Sequence, residues 1–261
     1  MLKRLLCVAL VFTISKSYAQ TENYPSYSHD NVNAVLWQQY SGEYRALCFQ
    51  GYNFAKLSLD QALKTKSAKK RCIVVDIDET VLDNSPAEGK QLQKGGVFNY
   101  NDWKAWTDLA KADTVPGALS FLKYAAKKGV ETFYISNRGL DESATTLKNL
   151  VDWGFPFADQ KHLMLKDKTS NKEARRQEVL KNYNIVMLCG DNLGDFAEVF
   201  YQRNQTDRNT AVDSLRNEFG RKFIMLPNPM YGDWESAIFD NKKGLTEQEK
   251  SEIKSTKLKS F

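Results

Sequence analysis

The chain has 261 residues, with 37 Lys and Arg against 32 Asp and Glu, for a net charge of +5. Lys3, Arg4 and Lys16 supply three of those charges ahead of residue 20, so the 242 residues that follow Ala19 carry only +2. A balance that small calls for neither a nucleic-acid polymer nor a membrane surface as partner, and a chain of this length suits one folded domain with insertions.

The first 19 residues read as an export signal. Lys3 and Arg4 form a positive start, Leu5 to Ile14 an apolar stretch of ten residues, and Ser17-Tyr18-Ala19 the small-residue site that a signal peptidase reads. Ten residues cannot span a bilayer. The expectation is a signal over 1–19 and one domain over 20–261, exported to the periplasm or secreted, with no transmembrane segment. Residues 20–30 are polar and read as an arm.

From Asn31 to about Leu63 the apolar residues Val32, Val35, Leu36 and Tyr40, then Tyr44, Leu47 and Cys48, recur at helical spacing. A basic linker leads into Cys72-Ile73-Val74-Val75, an apolar run without alternation that predicts a buried parallel strand. It ends in Asp76 and Asp78, which point the same way in an extended chain. Two carboxylates at one strand end repel unless a cation or a shared proton relieves them. Mg²⁺, which prefers oxygen ligands, meets that need. It leaves one aspartate free to attack an electrophile and the other to move a proton.

Residues 84–115 form an insertion containing Tyr100, Trp103 and Trp106. A helix follows from Pro116-Gly117 to Lys128, stopped by Gly129, and a second buried strand runs from Val130 to Ile135. The pattern continues with a helix over 141–152, a short strand at 163–165, a charged helix over 171–182 and a strand at 185–188. Helices over 196–202 and 211–219 and a strand at 223–226 complete it. The tail after Gly244 reads as a solvated helix or as disordered. Strands alternating with helices predict an α/β fold, a doubly wound parallel sheet with helices on both faces. Cys48, Cys72 and Cys189 remain after the signal; aligned on their strands, Cys72 and Cys189 lie roughly 8 Å apart, too far for a disulfide, so free buried thiols are expected.

The string Asp76-Ile77-Asp78-Glu79-Thr80-Val81-Leu82-Asp83-Asn84-Ser85 resembles the first motif of the haloacid dehalogenase (HAD) superfamily. In its fuller form it is similar to the class C bacterial acid phosphatases, the lipoprotein-e type 5′-nucleotidases. Ser136-Asn137, directly after the second strand, resembles the phosphate-binding second motif, and both side chains can donate to a phosphoryl oxygen. Ser170-Asn171-Lys172 matches the family's Ser-x-Lys, which selects Lys172 over Lys168 and Lys166 as the lysine that neutralises the phosphate, with Lys168 in reserve. Gly190-Asp191-Asn192-Leu193-Gly194-Asp195-Phe196 resembles the fourth motif and implies direct metal binding by Asp191 with Asp195 in support. The family places an aromatic pair around a nucleotide base, and its positions fall on Trp103 and Tyr231.

The resemblance covers about residues 30 to 240 and implies a HAD-type sheet under a small, mostly helical cap built from about 30–63 and 84–115. It implies a Mg²⁺-dependent phosphatase acting on nucleoside 5′-monophosphates through an aspartyl-phosphate on Asp76, with Asp78 moving the proton and lending its carbonyl to the metal. A phosphotransferase on the same chemistry and a storage protein on the same fold stay open, as does a homodimer. Many relatives carry a lipid on an N-terminal cysteine. Cys7 lies too early and follows the bulky Leu6, so an unanchored form is expected. A histidine-type acid phosphatase is disfavoured, because neither His29 nor His162 sits beside an arginine.

Overall fold

The structure, a computed structural model, describes residues 31–261. The signal, the polar arm, Cys7 and His29 lie outside the described residues. Ten α-helices and seven strands follow among them: α1 (Val32–Tyr40), α2 (Gly42–Ala62), β1 (Lys70–Val75), β2 (Leu82–Asp83), α3 (Ser85–Gln93), α4 (Tyr100–Thr107), β3 (Asp113–Thr114), α5 (Ala118–Lys127), β4 (Glu131–Gly139), α6 (Ser143–Trp153), β5 (Leu163–Lys166), α7 (Glu173–Asn182), β6 (Tyr183–Gly190), α8 (Gln205–Ser214), β7 (Phe223–Met225), α9 (Asp233–Ile238) and α10 (Glu247–Lys257).

Five strands form a parallel sheet in the order β5-β4-β1-β6-β7. Strand alternation divides its side chains between two cores. Ile73 and Val75 of β1 pack with Tyr134, Met187 and Cys189 beneath α2, α5 and α6. Cys72 and Val74 point the other way, to Phe133, Ile135 and Leu188 beneath α7 and α8. Burial on both faces is why β1 reads as an unbroken apolar run. Since β4 and β6 flank β1 on opposite sides, the sheet changes direction there, and the carboxyl ends of the three strands frame a crevice.

The predicted strands and the α/β alternation are present, with local differences. The helix expected over 31–63 is two helices, broken at Ser41, whose hydroxyl accepts from Tyr44 N at 3.0 Å and starts α2. Part of the cap expectation changes with it. α2 buries Tyr44, Cys48, Tyr52, Ala55 and Leu59 in the core of the sheet. The crevice is lined by Asn31 at the start of α1 and, from the insertion, by residues of α3 and α4 and the loop between them. That insertion leaves and returns through one antiparallel pair, β2 with β3. Over 196–202, where a helix is expected, there is a single 3-10 turn, Glu198–Phe200, preceded by another at Leu193–Asp195 around which Asn192 and Asp195 cap each other. Asn204 caps α8 earlier than the predicted start at 211, accepting from Asp207 N at 2.9 Å. The tail is helical, opened by a capping box between Thr246 and Glu249. Cys48, Cys72 and Cys189 are buried and free. The register sets Cys189 opposite Val75, three residues from Cys72, and burial pushes the Cys72 thiol up to about 12.

Candidate active site

Asp76 follows β1 directly, and its amide donates to the Cys189 carbonyl of β6 at 3.0 Å, so the aspartate is held in sheet register. The chain then folds into a tight loop in which the amides of Thr80, Val81 and Leu82 all turn to the Ile77 carbonyl. The loop requires a positive φ of 56° at Glu79, a conformation costly for a residue with a Cβ. Glu79 is held there from both ends: Oε1 accepts from Asn84 N at 2.7 Å and Oε2 from the Tyr231 hydroxyl. Burial, with repulsion from Asp78 and Asp191, pushes its pKa well above the carboxylate range.

Lys172 lies at the start of α7, where the Asn171 side chain accepts from Glu173 N at 2.8 Å. Its ammonium bridges Asp76 at 2.5 Å and Asp195 at 2.7 Å, with all three residues buried. Asp191, at the end of β6, accepts from Thr80 Oγ1 at 3.0 Å and Asn228 Nδ2 at 2.9 Å. Burial and the neighbouring Asp195 charge push Asp191 up to about 7, while burial raises Asp76 against the pull of Lys172. Gly190 allows this crowding, since a Cβ there would stand 2.7 Å from Asp195 Cγ. Asp76, Asp191 and Asp195 each offer an oxygen within 4.8 Å of the others. A buried set of hard oxygen donors with excess negative charge fits a small divalent cation.

Asp78 is held differently. Arg138 Nε and Nη2 bind its Oδ1 at 2.9 and 2.8 Å, Asn84 Nδ2 adds a third donor at 2.8 Å, and Ser136 Oγ meets Oδ2 at 3.2 Å. Asp78 thus turns away from the Asp76–Lys172 cluster and toward the end of β4. Both groups line one cavity of about 910 Å³ together with Trp103, Asn137 and Tyr231.

The family model described as HAD superfamily, subfamily IIIB (acid phosphatase), matches residues 3–234. The chain belongs to this family. The class C acid phosphatase from Bacillus anthracis is 44% identical, with a TM-score of 0.87 over 90% of this chain and 99% of that one. The stem 31 kDa glycoprotein of Glycine max is 29% identical over 164 residues, which span 60% of this chain and 58% of that protein's length. Vegetative storage protein 2 of Arabidopsis thaliana is 27% identical over 207 residues, 76% of this chain and 68% of its own. The family places the chain among the phosphoric monoester hydrolases.

Of the residues singled out from sequence, Asp76, Asp78, Lys172, Asp191 and Asp195 converge on this cavity. Lys168 is exposed, whereas Lys166 lines the cavity without entering the cluster. Ser136 is fully buried and its hydroxyl addresses Asp78. Asn137 is exposed on the wall, its Oδ1 held by Arg175 at 2.7 Å. Trp103 donates from its indole nitrogen to Glu142 at 2.9 Å, with the Arg138 guanidinium 5.7 Å from its ring centre. Sequence reasoning passed over Arg138, Glu79 and Asn84. Arg138 carried a readable signal, because in an extended strand end it shares the side of Ser136, two residues before it.

Proposed function

We propose that the protein is an exported, Mg²⁺-dependent acid phosphatase that hydrolyses phosphomonoesters, nucleoside 5′-monophosphates among them, through an aspartyl-phosphate. The observation that carries this reading is Lys172 pinned between Asp76 and Asp195 beside Asp191. Such a cluster costs folding energy and serves chemistry better than stability. Asp76 attacks phosphorus, forming the Asp76 O–P bond as the bond to the leaving oxygen breaks. Asp78 gives its proton to that oxygen and then takes one from the water that releases phosphate. Arg138 and Asn84 occupy Oδ1, so the mobile proton belongs on Oδ2, where the Ser136 hydroxyl can rotate to accept it. Lys172 and Asn137 hold phosphoryl oxygens. Mg²⁺, held by Asp76, Asp191 and the Asp78 carbonyl with Asp195 in support, would neutralise phosphoryl charge.

Trp103 and Tyr231 offer stacking surfaces for a flat base on the cavity wall. Export rests on the signal pattern of residues 1–19; among the described residues no helix is long and apolar enough to cross a membrane. Storage is the second reading, favoured by the similarity to a plant storage protein. The buried charge cluster speaks against it, since storage needs no nucleophile. A phosphotransferase would differ only in admitting an alcohol where water enters. The test is phosphate release from AMP and p-nitrophenyl phosphate at mildly acid pH, with Mg²⁺ or with EDTA. Release is expected to depend on metal and to vanish in Asp76→Asn, whose far-UV spectrum stays native. Turnover persisting in that variant refutes the covalent route, and no release from the wild type favours storage.

A further inference from the structure

A second acidic group lines the cavity apart from the Asp76 cluster. Glu88 stands in the first turn of α3, and Gln91 and Leu92, one helical turn on, line the same wall. Glu88 is only 8% exposed. Among the described residues no donor or cation reaches its carboxylate; what acts on it is burial and then repulsion from Glu235 of α9, which together push it up to about 7. Glu235 is itself engaged by Lys254 of α10 at 2.9 Å. The helix dipole accounts for an acid in a first turn. It does not account for a largely buried one that has no protein partner and whose oxygens open only onto the cavity, where a partner has to come from what the cavity holds.

We infer that Glu88 is a specificity residue that receives an N–H donor or ammonium group carried on the leaving group of the substrate. The inference rests on the phosphomonoesterase reading, since it assigns a second wall of the cavity that holds the phosphoryl group. The geometry favours aromatic leaving groups with a donor at their edge, because Trp103 and Tyr231 share that cavity with Glu88. Aryl esters without a donor leave the carboxylate unpaired and lose the interaction.

The test uses a matched pair, tyramine O-phosphate and 4-ethylphenyl phosphate, which differ in the ammonium group, compared at about pH 8, where Glu88 is ionised and the ammonium group still charged. The wild type is expected to favour the ammonium ester by at least about tenfold in kcat/KM, the scale of a charged hydrogen bond. Glu88→Gln and Glu88→Leu are each expected to erase that preference. Calorimetric affinities of the pair for Asp76→Asn, with and without Glu88→Gln, make the same comparison where no turnover occurs. Loss of phosphatase activity and loss of Glu88 recognition are therefore separate results. A wild type that treats the pair alike, or a Glu88 variant that keeps the preference, overturns the inference. Preference within the aryl pair without turnover of AMP would retain it and remove the nucleotide reading.

Discussion

Replacing Glu88 by Gln removes a buried carboxyl whose ordinary pKa of 4.5 is raised to about 7, chiefly by burial. The folded protein then holds a proton there that the unfolded chain releases. Wild-type stability therefore falls as pH rises from 4.5 toward 7 and stays lower above it. The shift is about 2.5 units at 1.36 kcal/mol each, or ~3 kcal/mol across that window. Gln has no proton to lose and carries none of this dependence. The stability of Glu88→Gln relative to wild type should rise by ~3 kcal/mol from the acid side of the window to the alkaline side. Urea unfolding of both proteins on each side measures it, and the comparison cancels titrations that the two share. A difference that does not change with pH would refute the assignment of Glu88 as a buried, unpartnered acid.

Arg138→Lys keeps the charge but loses the two-pronged grip on Asp78 Oδ1. Steady-state kinetics should show kcat/KM lower by about 10- to 100-fold, the worth of a hydrogen bond to a charged group, and borne by kcat; a change confined to KM would contradict it. Gly190→Ala places a methyl against Asp195 and displaces that carboxylate from Lys172. It should cost ~1–3 kcal/mol in thermal unfolding along with most activity, and a wild-type melting temperature would show that the strand end yields freely. Exhaustive chelation should abolish phosphate release and added Mg²⁺ restore it, while activity that survives chelation would take the metal out of the reaction.

Much of the architecture was legible because it is written in local patterns. An unbroken apolar run ending in Asp76 and Asp78 announces a buried strand and places the acids at its carboxyl end. The same logic located Ser136, Asn137, Asp191 and Asp195, and Asn171 marked the start of the helix that follows Lys172. The break at Ser41 and the start of α8 at Asn204 were misplaced because a cap weighs one or two residues against a long apolar periodicity. Other features depend on partners far apart in sequence. Glu79 reads as one more acid in a motif until Tyr231, 152 residues away, closes on it. Arg138 reads as a surface cation until the turn of β1 delivers Asp78, 60 residues back, to its fork.

By itself, then, the amino-acid sequence determined the order of strands and helices, the acids at strand ends and the family to which they belong. Period and strand-end position suffice for those. Which way the Asp78 carboxylate turns, and that Glu88 lies on the cavity wall with no protein partner, were decided only by the tertiary structure. Charge and burial are properties of a side chain's surroundings, and its surroundings come from distant parts of the chain.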